Sequence, residues 1–198
     1  MKIPLQIGVT GGIGAGKSII CSIFRSLGVP VYDADGRAKE LMTTDGILVN
    51  QIKKEFGELS YRGDGSLDRS YLGKATFGHP ERLSVLNALV HPRVAADYQS
   101  WLHLRIGRKY VIREAALLFE AGATIGLDKV IVVAAPEELR IRRVLARDSH
   151  RNLEDIRAIL KNQWPQEEKI RKADFVIYND ETQMILPQVL QLHSQFNS

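Results

Sequence analysis

Apolar residues follow two patterns along this chain. Short blocks at 2–9, 29–32, 110–112, 129–134 and 175–178 are dense in aliphatic and aromatic residues and predict strands. The block at 129–134 is a nearly pure Val/Ile run, which suits a parallel strand buried on both faces. In other stretches the apolar positions spread to helical spacing. Ile19, Ile20, Ile23, Phe24 and Leu27 mark a helix that ends near Gly28. Residues 36–107 are mostly helical in pattern, with turn signals at Thr44-Asp45-Gly46, Arg62-Gly63-Asp64-Gly65 and Gly78-His79-Pro80. Pro136-Glu137-Glu138 carries the proline and acids of a helix start, and a last helix follows the block at 175–178. The alternation predicts an α/β fold with a parallel sheet, crossover helices and a helical excursion after the second strand.

The first strand runs into the first helix through GGIGAGKS, residues 11–18. Glycines let the backbone approach a ligand closely, and a helix N-terminus adds a partial positive charge, so the turn suits an anion. The stretch fits G-x-x-x-x-G-K-[ST], in which N–H groups cradle phosphates, the lysine reaches the β/γ-phosphates and the hydroxyl binds Mg²⁺. It does not fit the dinucleotide pattern G-x-G-x-x-G. Mg-nucleotide binding is therefore the first functional expectation. The bland alternative, a glycine-rich turn with an exposed lysine, gains little support between a strand and a helix.

Composition changes this picture only slightly. The chain has 198 residues, 44% hydrophobic and 25% charged, as one soluble domain with an insertion or lid would have. A net charge of +4 reads first as a mildly basic surface and second as a phosphate-binding patch, and since no Lys/Arg run exceeds two and none is interleaved with aromatics, nucleic acid comes last. Cys21 is the single cysteine, so an internal disulfide is excluded. The five histidines are too dispersed for a local metal motif. The opening apolar run is interrupted by Gln6, Gly8 and Thr10, unlike a cleavable signal, and 18 uninterrupted apolar residues occur nowhere. The expectation is a cytoplasmic protein with no membrane partner.

Two further constellations carry chemistry. Arg140, Arg143 and Arg147 fall at i, i+3 and i+7 and share one side of the helix opened by Pro136. Such a stripe is either a solvated face or a set of phosphate contacts on a mobile segment. Asp33 and Asp35 follow the second strand, either as turn and cap residues or as carboxylates that orient a nucleophile or accept its proton. Asp33-x-x-Gly36 also matches the D-x-x-G of GTP switches, but the N-K-x-D that such switches need for guanine is absent.

The whole chain resembles the dephospho-coenzyme A kinase family. The matching pieces occur in order: GVTGGIGAGKS, VPVYDAD, LNALVHPRV, ALLFEAG, VIVVAAPEELRIRRVLARD and ADFVIYND. The phosphate loop is shared with many NTPases, whereas Asp-Ala-Asp, His-Pro and Leu-Leu-Phe-Glu together are far more specific. The resemblance implies a P-loop NTPase fold, an α/β three-layer sandwich with a parallel sheet, and ATP-dependent phosphorylation of the ribose 3′-hydroxyl of dephospho-CoA. It implies a single P-loop kinase domain over 1–198: a core at about 1–35, 109–135 and 173–198, a helical acceptor region at about 36–108 and a helical lid at about 136–172. A kinase for another small metabolite, and a nucleotide-dependent switch or binding protein, remain alternatives. The sequence leaves open a homo-oligomer.

Position by position, the resemblance implies that Gly11, Gly12, Gly14, Ala15, Gly16, Lys17 and Ser18 hold ATP, with Ser18 on Mg²⁺. Asp35 matches the catalytic acid beside the acceptor ribose, and Asp33 falls on the acceptor side. Arg143 and Arg147 lie in the lid segment, where the family implies phosphate contacts. His91, Leu117, Phe119 and Glu120 match motifs around the acceptor pocket, although His91 also precedes Pro92, where a packing or turn role is open. Asn179 matches the loop near adenine. Three positions depart from the family pattern. Ile19 replaces a hydroxyl residue, so an α-phosphate contact there would rest on backbone N–H. Ala116 replaces a proline, and Glu114 replaces an aspartate while keeping an acid that could hold Mg²⁺ through water.

Overall fold

The computed structural model describes residues 3–198. Among these residues the strands are β1 (Leu5–Thr10), β2 (Val31–Asp33), β3 (Tyr110–Glu114), β4 (Lys129–Ala134) and β5 (Phe175–Tyr178). The helices are α1 (Lys17–Ser26), α2 (Ala34–Thr44), α3 (Gly46–Phe56), α4 (Arg69–Thr76), α5 (Pro80–His103), α6 (Glu137–Arg147), α7 (Leu153–Lys161), α8 (Gln166–Lys172) and α9 (Ile185–Asn197). Two compact units result. One comprises the chain up to Asp33 with Arg105–Ser198, the other Ala34–Leu104.

The first unit holds a five-stranded, all-parallel sheet in the order β2-β3-β1-β4-β5, with helices on both sides. Central β1 pairs with β3 from Leu5↔Tyr110 to Val9↔Glu114 and with β4 from Ile7↔Lys129 to Thr10↔Val132. Period-two alternation sends Ile7, Val9, Ile112, Ile131, Val133 and Ile177 to one face. There they meet Ile20, Cys21 and Phe24 of α1 and Val189, Leu192 and Phe196 of α9. On the other face Gly8 leaves room for Leu118 and Leu127, whose methyl groups lie where a Cβ would stand. This places the 115–122 turn directly over the sheet.

Strands β4 and β5 have the predicted bounds. The predicted first strand covered 2–9. Lys2 lies outside the described residues, and the ladder runs from Leu5 to Thr10. Strand β2 starts two residues later than expected, because the Pro30 carbonyl accepts from Ile112 N–H just before regular pairing begins. Strand β3 extends two residues further because Asp33 pairs with Glu114.

The second unit is helical. Asp45 caps α3 by accepting from Ile47 and Leu48 N–H, and Asp68 caps α4 by accepting from Tyr71 N–H. Leu48, Ile52 and Phe56 of α3, Leu72 of α4, and Val90, Val94, Tyr98 and Leu102 of α5 are buried. Pro80 sits in the first turn of α5, as the Gly78-His79-Pro80 signal suggests. His91-Pro92 makes no turn, however: α5 continues through Pro92, so the turn role open to His91 is overturned. A proline inside a helix removes one backbone bond, and buried side chains on both sides hold α5 together. Among the described residues no helix is long and apolar enough to cross a membrane.

Candidate active site

Strand β1 ends at the sheet centre and its chain turns through residues 11–16 into α1. That is the edge beyond the strands' carboxyl ends where α/β sheets bind ligands. Lys17 Nζ donates back to Gly11 O at 2.8 Å and lies 3.5 Å from Gly12 O, which closes the loop on itself. Ala15 N–H donates to Gly12 O at 3.1 Å. Gly14 has φ 77° and a Cβ there would strike the Arg140 carbonyl, so both backbone shape and space require glycine. Ser18 is exposed in the first turn of α1. Ile19 N–H already donates to Gly16 O at 3.1 Å, so an α-phosphate contact there would have to share it.

Three distant segments brace this loop. The Arg140 guanidinium of α6 lies against Gly12, where an added Cβ would collide with it. Gln163 Oε1, between α7 and α8, accepts from Ile13 N–H at 3.0 Å. Asn179 Nδ2, just after β5, donates to Ala15 O at 2.9 Å. Spacing alone did not single out Arg140 from its stripe, and Gln163 was missed altogether.

The arginine stripe separates by depth. Arg140 is 8% exposed at its side chain, with Nε donating to Ala135 O at 3.1 Å; burial holds its pKa below the usual arginine value. Arg143 is 26% exposed and donates from Nη1 to Asn179 O at 2.9 Å. Arg147 is 63% exposed and makes two hydrogen bonds to neighbouring Asp148, at 2.9 and 3.0 Å. Arg142, off the stripe, pairs with Glu181 at 3.0 Å.

Carboxylates collect at the ends of β2 and β3. Asp33 is exposed at the last position of β2 and registers with Glu114 at the end of β3. Burial pushes the Glu114 carboxyl above its ordinary range. The Asp33 charge adds to that rise, while a hydrogen bond from the Cys21 thiol and the Lys17 and Arg25 charges oppose it. Asp35, two residues beyond Asp33, lies exposed in the first turn of α2 in the other unit, and His91 is exposed on α5 in that same unit.

The turn after β3 carries Ala116, whose carbonyl accepts from Thr10 Oγ1 at 3.3 Å, and then Leu117 to Glu120. Leu118 is fully buried while Leu117 is 42% exposed. Phe119 stacks on Trp164 with centroids 6.0 Å apart. Glu120 Oε1 accepts from Trp164 N–H at 2.8 Å and lies 2.7 Å from the buried Lys169 Nζ. Phe119 and Glu120 thus join this turn to the start of α8.

Such a loop serves many phosphoryl-transfer proteins, and comparison with known proteins narrows the choice. The family model described as dephospho-CoA kinase matches residues 5–184. The chain belongs to the dephospho-CoA kinase family. Dephospho-CoA kinase of Chlorobaculum tepidum is 41% identical over 187 residues, covering 91% of this chain and 89% of that protein. The crystal structure of TT1252 from Thermus thermophilus is 36% identical, covers 100% of both chains and superposes with a TM-score of 0.88. Dephospho-CoA kinase from Campylobacter jejuni is 28% identical, covers 97% of this chain and 96% of its own, and has a TM-score of 0.71. Membership in the dephospho-CoA kinase family makes this chain a kinase, a phosphotransferase acting on an alcohol group.

Proposed function

We propose that this chain transfers the γ-phosphoryl group of ATP to the 3′-hydroxyl of dephospho-CoA, giving CoA and ADP, the last step of CoA biosynthesis, in the cytoplasm. The observation that carries this reading is a G-x-x-x-x-G-K-S loop, braced by three segments at the carboxyl edge of the sheet, in a chain matched along most of its length by the family. Phosphoryl transfer asks the protein for position and charge more than for covalent chemistry. In this reading N–H groups of the loop other than that of Ile13, which is held by Gln163, cradle the phosphates, and Lys17 leaves its loop carbonyls to meet the β/γ oxygens. Asn179 takes the adenine side, and Arg143 and Arg147 meet transferring charge when the segment around them closes and excludes water.

The oxygen donors suit Mg²⁺: the Ser18 hydroxyl would hold it directly, and the Glu114 carboxylate through water. Bound Mg²⁺ supplies neutralisation of the phosphate charge. Asp35 accepts the proton of the attacking hydroxyl, while Asp33, His91, Leu117, Phe119 and Glu120 belong to the acceptor side, the last two by shaping the turn. The test is a coupled assay of ADP release. Steady turnover is expected only with ATP, Mg²⁺ and dephospho-CoA present together, and Asp35→Asn is expected to lower kcat about 10²-fold or more while ATP still binds. Equal turnover with an unrelated nucleoside as acceptor would reject the assignment.

A further inference from the structure

The Gly12–Ile13 peptide is gripped at both ends. Its carbonyl, Gly12 O, receives Ala15 N–H at 3.1 Å and lies 3.5 Å from Lys17 Nζ. Its N–H, on Ile13, donates to Gln163 Oε1 at 3.0 Å, from a residue 150 positions later. A peptide is planar, so whatever fixes its N–H also fixes the direction of its carbonyl. Gln163 therefore sets the plane against which Ala15 and Lys17 are placed.

Gln163 is partly buried and borders a cavity of about 500 Å³, lined also by Pro136, Arg140, Leu160, Trp164 and Gln166, so one side of its side chain faces open space. Its backbone, by contrast, is fixed from both directions. Gln163 N–H closes the end of α7 on Leu160 O at 3.1 Å. The next residue, Trp164, is held by Glu120 through its N–H and by Phe119 through its ring. Two residues further, Gln166 Oε1 accepts from Ala135 N–H at 3.0 Å, at the end of β4. A well-anchored residue thus extends a single hydrogen-bonding arm to the phosphate loop.

We propose that Gln163 is a positioning residue for phosphoryl transfer, acting through the Gly12–Ile13 peptide on Lys17 and the loop amides. This rests on the reading that residues 11–18 take the phosphates of ATP. Loops of this kind bind polyphosphate well when their donors are aligned before the ligand arrives. Removing the Gln163 oxygen leaves the peptide held at its carbonyl alone, and binding of the nucleotide must then fix the N–H end that Gln163 had fixed. The acceptor does not meet this peptide in the same reading, so the cost falls on ATP alone.

Gln163→Met keeps length and flexibility while deleting the acceptor. In the full-length protein, Ile13 amide exchange measured by NMR is expected to accelerate at least about tenfold. KM and Kd for Mg-ATP are expected to rise about five- to tenfold, the scale of one net hydrogen bond. KM for dephospho-CoA should stay within about twofold, and Tm within about 4 °C. Gln163→Glu, which keeps an oxygen at the same reach, is expected to restore slow Ile13 exchange. Equal rises in both KM values, or faster exchange at Ile13 with ATP affinity unchanged, would overturn the proposal, as would slow exchange surviving in Gln163→Met. Wild-type protein that failed to bind Mg-ATP would instead reject the functional reading and the inference with it.

Discussion

The phosphate loop and helix α6 are the two regions assigned to the ATP phosphates, and they are built on opposite plans. The loop is made of backbone, and its shape is imposed by contacts from α6, from the α7–α8 link and from the residue after β5. Helix α6 holds its own shape and varies only in how deeply each arginine is set, from 8% exposure at Arg140 through 26% at Arg143 to 63% at Arg147. The root of α6 therefore belongs mechanically to the loop, while its far end is more exposed and is tied to Asn179, through Arg143, and to Asp148, through Arg147. In the proposed reading one arginine stripe performs two tasks: buried Arg140 braces the loop, and the less buried Arg143 and Arg147 meet the phosphates.

The largest effect should come from the loop itself. Lys17→Ala is expected to lower kcat at least about 10³-fold while Tm changes by no more than about 4 °C, because the lost charge acts on the transition state rather than on the core. Activity close to wild type would remove the loop from the comparison. At the root of α6, Arg140→Met should lower ATP affinity and Tm together, kcat/KM by roughly 10- to 100-fold and Tm by a few degrees, since Ala135 O loses its donor and Gly12 its support. A loss of kcat alone, with unchanged Tm, would make Arg140 a ligand contact rather than a brace. Further along α6 the effects should be smaller and mainly kinetic. Arg143→Ala is expected to cost about tenfold in kcat, Arg147→Ala less, and Arg142→Ala less than about twofold, all without loss of Tm. Equal losses at the three positions would mean that α6 contributes a general field and no directed face.

What could be read in advance follows from the range of the forces involved. Apolar blocks announced all five strands, and two of them to the residue, because burial on both faces leaves a local mark. The GKS loop was legible for the same reason, as its chemistry lies in eight consecutive residues. Arg140 shows the limit: helical spacing gave its direction around α6 but not what stood opposite, and opposite stood a glycine that could admit it. Gln163 and Ile13, like Glu120 and Lys169, are joined across long stretches of chain by single polar contacts, and no periodicity records such pairs. At His91-Pro92 the sequence left a packing role and a turn role both open. A helix buried on either side of a proline runs through it, and local turn chemistry yields to packing.

The strand order also has a consequence in time. β1 leaves the ribosome before both of its partners, β3 and β4, and the register joins Leu5 to Tyr110 and Ile7 to Lys129. At about 5–20 residues per second, roughly 5–20 s pass before the first of these partners is synthesised. The whole of Ala34–Leu104, which is continuous in sequence, is translated in that interval. The glycine loop is therefore completed late: its contacts from Gln163 and Asn179 come from residues 150 and 164 positions further along the chain.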